Sequence, residues 1–431
     1  MPTAKKPAPR PAAKSTTAAK AAKSTTAAKA AKSTTAAKVA KTAATAEPFV
    51  PEGKAAPAGK AKKKTAKSVV KLGGQTIAPG TRGFGYLHVG LLAARTEVRV
   101  PFQVINGAYE GPTLLLEGTM HGWEPMGAEV IRRATQQIDP ATLRGTIYCL
   151  PLAHPFTVEF GGTIESAGQR VSPADNLDIN QTWPGMKKNG WLTQQIAFVL
   201  WNEVISKVQY VLDYHDGTGS CDELPVAFAH LFPDAPPYVS GGGADGIGED
   251  GTDYNLSVEH TSRINREVMG MAKAFGSEVI WKRPHMLNPK MLLGACSIAG
   301  IVPLYVETGG GGVIDEQIDK SVVCTMNIIK HLGMVDGELV MPKRQVMVSN
   351  YMVYRSLEGG FYLKDPAATV GSMVTKGQLL GRVIDPVTSE VVEECRSPFN
   401  GQLVSTRIRM PINPGGYIAH IADYDSIVWE R

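Results

Sequence analysis

TLLLEGTMHGWEP, residues 113–125, decides the fold, because within thirteen residues the chain passes from one backbone period to another. Residues 113–117 form a short apolar run and read as a strand. Pro125 then opens a segment in which Met126, Val130, Ile131 and Ala134 recur at helical spacing, so a helix is predicted over 125–138, with proline tolerated in its first turn. His121 and Glu124 stand at the junction, three apart around a glycine. Open α/β sheets place their sites where a strand ends and a helix begins. The pair reads either as two metal ligands or as a buried histidine beside a surface acid. A third ligand and a base further along the chain would decide between them.

The same alternation continues outward. Strands are predicted at 98–105, 146–150, 210–213 and 302–306, and helices at 191–208, 264–275 and 314–332. Apolar strands alternating with amphipathic helices imply an α/β sheet covered on both faces. After about residue 340 the texture becomes short strands punctuated by Gly and Pro, which predicts a small, separate all-β module. The expected domains are therefore a tail over 1–70, a catalytic domain over 71–340 and a β module over 341–431.

The overall charge of +5 hides a division. Residues 1–70 hold 15 Lys and one Arg against two Glu, a net +14, which leaves the other residues at −9. The tail contains three copies of AAKSTTAAK, at 12–20, 21–29 and 30–38. These repeats offer no large apolar side chain to a core, so the tail is expected to be disordered. Its lysines suit weak, salt-sensitive, nonspecific attraction to a polyanion. The five cysteines are scattered with no CxxC, which excludes a disulfide framework and a thiolate zinc site. With no apolar run of membrane-spanning length and no hydrophobic leader at the start, a cytoplasmic protein is expected.

Two later segments supply what the first pair lacks. VLDYHDG (211–217) puts His215 directly after a short apolar strand, and IVPLYVETGGGG (301–312) ends another such strand in Glu307. Polar groups at the ends of neighbouring strands could converge on one point, and an acid ending a buried strand is costly unless paired or functional.

With HGWE, DYHDG and YVETGGGG in this order, the chain resembles the succinylglutamate desuccinylase/aspartoacylase family of the zinc carboxypeptidase superfamily, over about residues 95–425. The resemblance implies a zinc-carboxypeptidase-like mixed sheet flanked by helices, followed by a barrel-sandwich module. It implies one Zn2+ per chain held by His121, Glu124 and His215, with Glu307 acting on the zinc-bound water. GQRVSPADNLDINQTWPG (168–185) is similar to the family's Arg…Asp-Gly-x-Asp-Leu-Asn-Arg segment. That match makes Arg170 the oxyanion-stabilising arginine, Asp178 the carboxylate orienting His121, and Asn180 a substrate-binding residue. The implied activity is hydrolysis of the amide bond of a small N-acyl amino acid or related amide.

The pattern departs from the family at Gln181, where the substrate-binding pair expects arginine. A neutral amide cannot replace a guanidinium at a carboxylate. Either another cation takes that role or the substrate lacks the carboxylate, and the second is the expectation. His154 is expected to be structural, or else to line the pocket. His230, His260 and His285 have no recognisable ligand partners and read as surface or core residues. Trp123, Trp183 and Trp191 read as core candidates, or, for Trp123 and Trp183 beside predicted site residues, as shaping an apolar substrate pocket. The stretch between VTKGQLLGRV and SPFNGQLV has no lysine to carry biotin or lipoate, so the β module is expected to cover the site or to build a subunit interface in a homo-oligomer. Two other readings are a metallocarboxypeptidase acting on short peptides and a non-catalytic zinc-binding scaffold whose tail docks on a polyanion.

Overall fold

The computed structural model describes residues 67–159, 170–234, 255–284, 288–310 and 315–431. The repeat tail lies outside the described residues, as do His285 and the Gly-rich stretch 241–250.

A ten-stranded sheet runs through the described residues from Thr81 to Glu430. Its centre consists of Tyr109–Gly118, Tyr210–His215 and Val302–Glu307, hydrogen-bonded side by side and parallel. Arg144–Leu150, Glu97–Asn106 and Thr81–Leu91 extend it on one side. Val226–Leu231, Val279–Pro284, Val346–Val348 and Ile427–Glu430 extend it on the other. Parallel and antiparallel pairs both occur, so the sheet is mixed, as expected.

Strand alternation sorts the two faces. Leu114, Leu116, Leu212, Tyr214, Leu304 and Val306 point one way, into a core built with the helices Met126–Gln136, Val258–Phe275 and Asp315–His331. Leu115 and Val211 point the other way and pack with the helices Leu192–Glu203 and Leu292–Ile298. On that second face, at the following odd positions, come Glu117, Asp213, His215, Tyr305 and Glu307. The first face is a closed hydrophobic layer, and the second becomes polar towards the strand ends.

The helix predicted over 125–138 is observed as Met126–Gln136, and that over 191–208 ends earlier, at Glu203, with a single 3-10 turn following. Val226–Leu231 and Val279–Pro284 were not anticipated from the sequence. The first is buried along nearly its whole length and so lacks polar–apolar alternation, and the second mixes buried Val279 and Ile280 with exposed Lys282 and Pro284.

From Val346 on, the described elements are strands and one 3-10 turn. One group pairs Tyr351–Arg355, Tyr417–Asp423, Gly401–Arg407 and Met373–Val374; another pairs Val391–Arg396, Leu379–Ile384, Gly360–Lys364 and Pro411–Ile412. A core including Tyr362, Leu380, Leu403 and Ile421 lies between them. The two groups are tied into the rest of the chain. Val346–Val348 and Ile427–Glu430 belong to the ten-stranded sheet, and Cys221–Glu223 pairs with Gly401–Arg407. A second apolar cluster joins Phe228 and Val279 of the large sheet to Tyr351, Val404 and Ala422.

Among the described residues no helix is long and apolar enough to cross a membrane. Leu114 is fully buried on the closed face, away from the polar one. Leu114→Ala should cost about 2–5 kcal/mol of stability in chemical denaturation while leaving metal content at the polar face unchanged.

Candidate active site

HGWE forms a tight loop between the Tyr109–Gly118 strand and the following helix. Glu124 N–H donates to the His121 carbonyl at 3.0 Å, so both side chains leave the same turn. The loop begins at Thr119, whose φ is +55°. Gly122 is required sterically: a Cβ there would run into the carbonyl of Thr157. Asp216 fixes the helix from across the sheet by accepting the Met126 N–H at 3.0 Å, which ties the loop to the strand end carrying His215.

The structure brings His121, Glu124 and His215 together, with one donor atom from each inside a 4.8 Å span. Glu124 Oε2 lies 3.0 Å from His121 Nδ1 and 2.8 Å from His215 Nδ1. All three are almost fully buried. Burial opposes the Glu124 charge, but the two imidazoles hold its pKa well below the carboxylate range. Burial likewise opposes charge on the rings, and the carboxylates around them nevertheless raise both histidines above their ordinary value. Three nitrogen and oxygen donors converging in this way fit a divalent cation such as zinc.

The outer nitrogens strengthen the fit. His121 Nε2 lies 3.0 Å from Asp178 Oδ1, and His215 Nε2 lies 3.3 Å from Asp213 Oδ1. Carboxylates behind histidine ligands fix the tautomer and the ring orientation. Asp178 also pairs with Arg170, Nε to Oδ2 at 3.0 Å, and caps the short turn carrying Asn180. Asp213 faces Glu117 on the neighbouring strand. Burial, then the Asp213 carboxyl beside it, pushes Glu117 well above the usual range, so it keeps its proton.

Glu307 pairs in register with His215. Its Oε1 accepts from the Tyr305 hydroxyl at 2.6 Å, and the Tyr305 ring stacks on His215 at 4.4 Å between centroids. Burial, followed by the nearby Glu223 carboxyl, raises Glu307 to about 8. Glu223 in turn lies 2.8 Å from His420 Nδ1, a residue of the β segment. Burial pushes Glu223 well up and His420 down to about 4, so this contact is between neutral groups.

A cavity of about 100 Å³ adjoins this cluster, lined by Asn180, Asp213, Phe228, His230, Arg283 and Tyr305 among others. Asn180 faces it, but Gln181 is turned aside, its Oε1 accepting from Asn288 at 3.2 Å.

Residues 110–236 match the family model described as the succinylglutamate desuccinylase/aspartoacylase catalytic domain, a span that contains all three donors. Over that span the chain is similar to the succinylglutamate desuccinylase/aspartoacylase family. A curated relative, the N-alpha-acetyl-L-2,4-diaminobutyric acid deacetylase of Halomonas elongata, is 26% identical over 334 residues, covering 76% of this chain and 86% of that protein. The fold is shared with a succinylglutamate desuccinylase/aspartoacylase of Rhodobacter sphaeroides at TM-score 0.63 and 22% identity, covering 80% of this chain and 96% of the other. It is also shared with the ectoine utilization protein EutE of Ruegeria pomeroyi at TM-score 0.64 and 21% identity, covering 84% and 100%.

The structure also places the other residues singled out in the sequence. His230 is buried, as a core residue would be, and it also lines the cavity. Trp123, read as a core candidate, is 38% exposed and donates its indole N–H to Glu124 Oε1 at 3.1 Å. Trp191 is 68% exposed, whereas Trp183 is buried in the core. His154 is structural: it is buried and contacts Thr193 Oγ1 at 3.1 Å, and Thr193 is held by Asp175. His260 contacts the Ser297 carbonyl at 2.8 Å. Tyr305 and Asp213 could have been found by stepping back two residues from Glu307 and His215 along their strands.

Because both imidazoles are raised in the metal-free protein, cation binding must displace their protons. Zinc affinity should therefore rise with pH above about 6.5 until the rings are neutral. Calorimetry in buffers of different ionisation enthalpy would show the proton release. Gly122→Ala should abolish tight zinc binding by displacing the loop, as read by metal content after dialysis.

Proposed function

We propose that the chain is a metal-dependent amidohydrolase that removes the acyl group of a small N-acyl amino acid or closely related amide. The observation that carries this reading is the convergence of His121, Glu124 and His215 beside Glu307 at the ends of adjacent strands. His121, Glu124 and His215 would hold the cation, zinc by donor type. A zinc ion so held would supply Lewis-acid polarisation of an amide carbonyl and would lower the pKa of water enough for hydroxide to be available near neutral pH.

The chain's own groups supply the proton steps and the binding. Glu307 is the general base: its carboxylate takes a proton from the attacking water and passes it to the departing amine nitrogen. The Tyr305 hydroxyl and the packed ring beneath it fix that carboxylate. Arg170, oriented by Asp178, offers fixed positive charge to the oxyanion that forms on the carbonyl oxygen. Asn180 binds the substrate beside the site. Residues 341–431 act as a covering module that brings His420 and Tyr351 up to the Glu223 side of the base, restricting the site to small molecules.

Two kinds of relative support the substrate class. The Halomonas elongata relative is by name a deacetylase of an N-acetylated amino acid, and the family description names desuccinylation and aspartate deacylation. N-acetyl and N-succinyl amino acids therefore make the first substrate panel.

Glu307→Gln should keep about one zinc per chain while losing roughly 10²–10⁴-fold in kcat. Loss of zinc in this variant, or undiminished activity, would overturn the assignment. A general base must be ionised, so the wild-type rate should fall as pH drops through the Glu307 ionisation. That ionisation lies at about 8 without metal and is drawn lower by a bound cation. The acid limb of the pH profile of kcat/KM should vanish from the residual activity of Glu307→Gln.

A further inference from the structure

Gln181 poses a chemical problem that the cavity resolves. Its side chain bonds to Asn288, so nothing at position 181 offers positive charge to a substrate carboxylate. The adjoining cavity nevertheless contains a guanidinium. Arg283 comes from Val279–Pro284, a strand outside every family motif, and it lines the same space as Asn180 and Tyr305.

We propose that Arg283 is a specificity-determining residue that, with Asn180, grips the carboxylate of the substrate and replaces the cation missing at Gln181. The inference rests on the amidohydrolase reading and extends it. It takes up the alternative that the sequence left open, a relocated cation, in place of a substrate without the carboxylate.

The arrangement of donors supports it. Asn180 Oδ1 accepts the Leu292 N–H at 2.9 Å, which fixes the amide so that Nδ2, a donor, is directed away from Leu292. Arg283 Cζ lies 4.4 Å from the centroid of the Trp281 ring, and Trp281 packs edge-on against Phe228 at 5.1 Å. Stacking on an indole orients a guanidinium plane while its N–H donors remain around the rim, the geometry that suits a planar carboxylate. Phe228 and Tyr305, stacked at 5.0 Å, form an apolar wall that strengthens a charge-assisted contact. Asp213, the acid in the lining, is engaged with Glu117 and His215. Tyr305, whose hydroxyl holds the base, lines the cavity as well, so a carboxylate seated there lies near the reacting centre.

The test uses the zinc-loaded full chain as wild type, Arg283→Gln and Arg283→Lys, with N-acetyl-L-2,4-diaminobutyrate and N-acetyl-L-aspartate, each compared with its α-carboxamide. Steady-state kinetics are paired with calorimetric binding of the free amino acids and their amides. Wild type should prefer the carboxylates through KM. Arg283→Gln should raise KM for them roughly 10- to 100-fold while leaving the carboxamides unchanged, and Arg283→Lys should recover part of the loss. Hydrolysis without preference for the carboxylate, or a preference that survives in Arg283→Gln, overturns the inference and leaves the amidohydrolase reading standing. Carboxylate-dependent binding that needs Arg283, with no hydrolysis of any acyl amide, keeps the inference and overturns the reaction. Absence of both overturns both. If circular dichroism shows Arg283→Gln unfolded, wild type and Arg283→Lys decide: no carboxylate preference in either overturns the inference.

Discussion

A carboxylate sealed from water between two imidazoles is the constraint on which this structure depends. Glu124 lies within 3.0 Å of nitrogens on His121 and His215, and an isolated buried charge of this kind would be far too costly to keep. The surroundings answer that cost in layers. Asp178 and Asp213 stand behind the two rings, Arg170 behind Asp178, and protonated Glu117 behind Asp213. Each added acid is matched by a proton or a cation. What remains is a ready cradle for a divalent ion, which is why the fold tolerates so many acids in so small a volume.

The sheet makes that layering possible. Two-residue alternation along three parallel strands delivers Glu117, Asp213, His215, Tyr305 and Glu307 to one face, while their neighbours Leu116, Leu212, Tyr214, Leu304 and Val306 close the other. The polar cluster therefore sits over a rigid hydrophobic layer, and the side chains are placed by backbone register rather than by loops. This explains why the motifs could be read from the sequence at all: HGWE, DYHDG and YVETGGGG each end a buried strand, where the apolar run and the sudden acid or histidine are adjacent in the chain.

The parts that were not legible share a physical reason. Val279–Pro284 holds Trp281 and Arg283 beside charged Lys282, so its pattern is that of neither a half-exposed strand nor a buried one. Its aromatic face is covered by Tyr351 from a segment about seventy residues away, stacked on Trp281 at 4.6 Å. No local signal anticipates such a contact. His230 was passed over for the same reason, since its neighbours in the cavity come from elements distant in sequence. Trp123 departs from its core reading and lies beside the site: its N–H has found the second oxygen of a buried carboxylate and its ring stays partly in water.

The sheet is also shared across the length of the chain. Ile427–Glu430 pairs with Val346–Val348 only after the intervening β segment has been traversed, and Cys221–Glu223 lends a strand in return. Contacts between residues so far apart in sequence close large loops, a slow and entropically demanding event. The edge of the large sheet next to Val279–Pro284 is covered by Val346–Val348, and that strand in turn by Ile427–Glu430. The aromatic row from Tyr305 to Trp281 therefore gains its cover, Tyr351, only once the chain has run about seventy residues past Trp281.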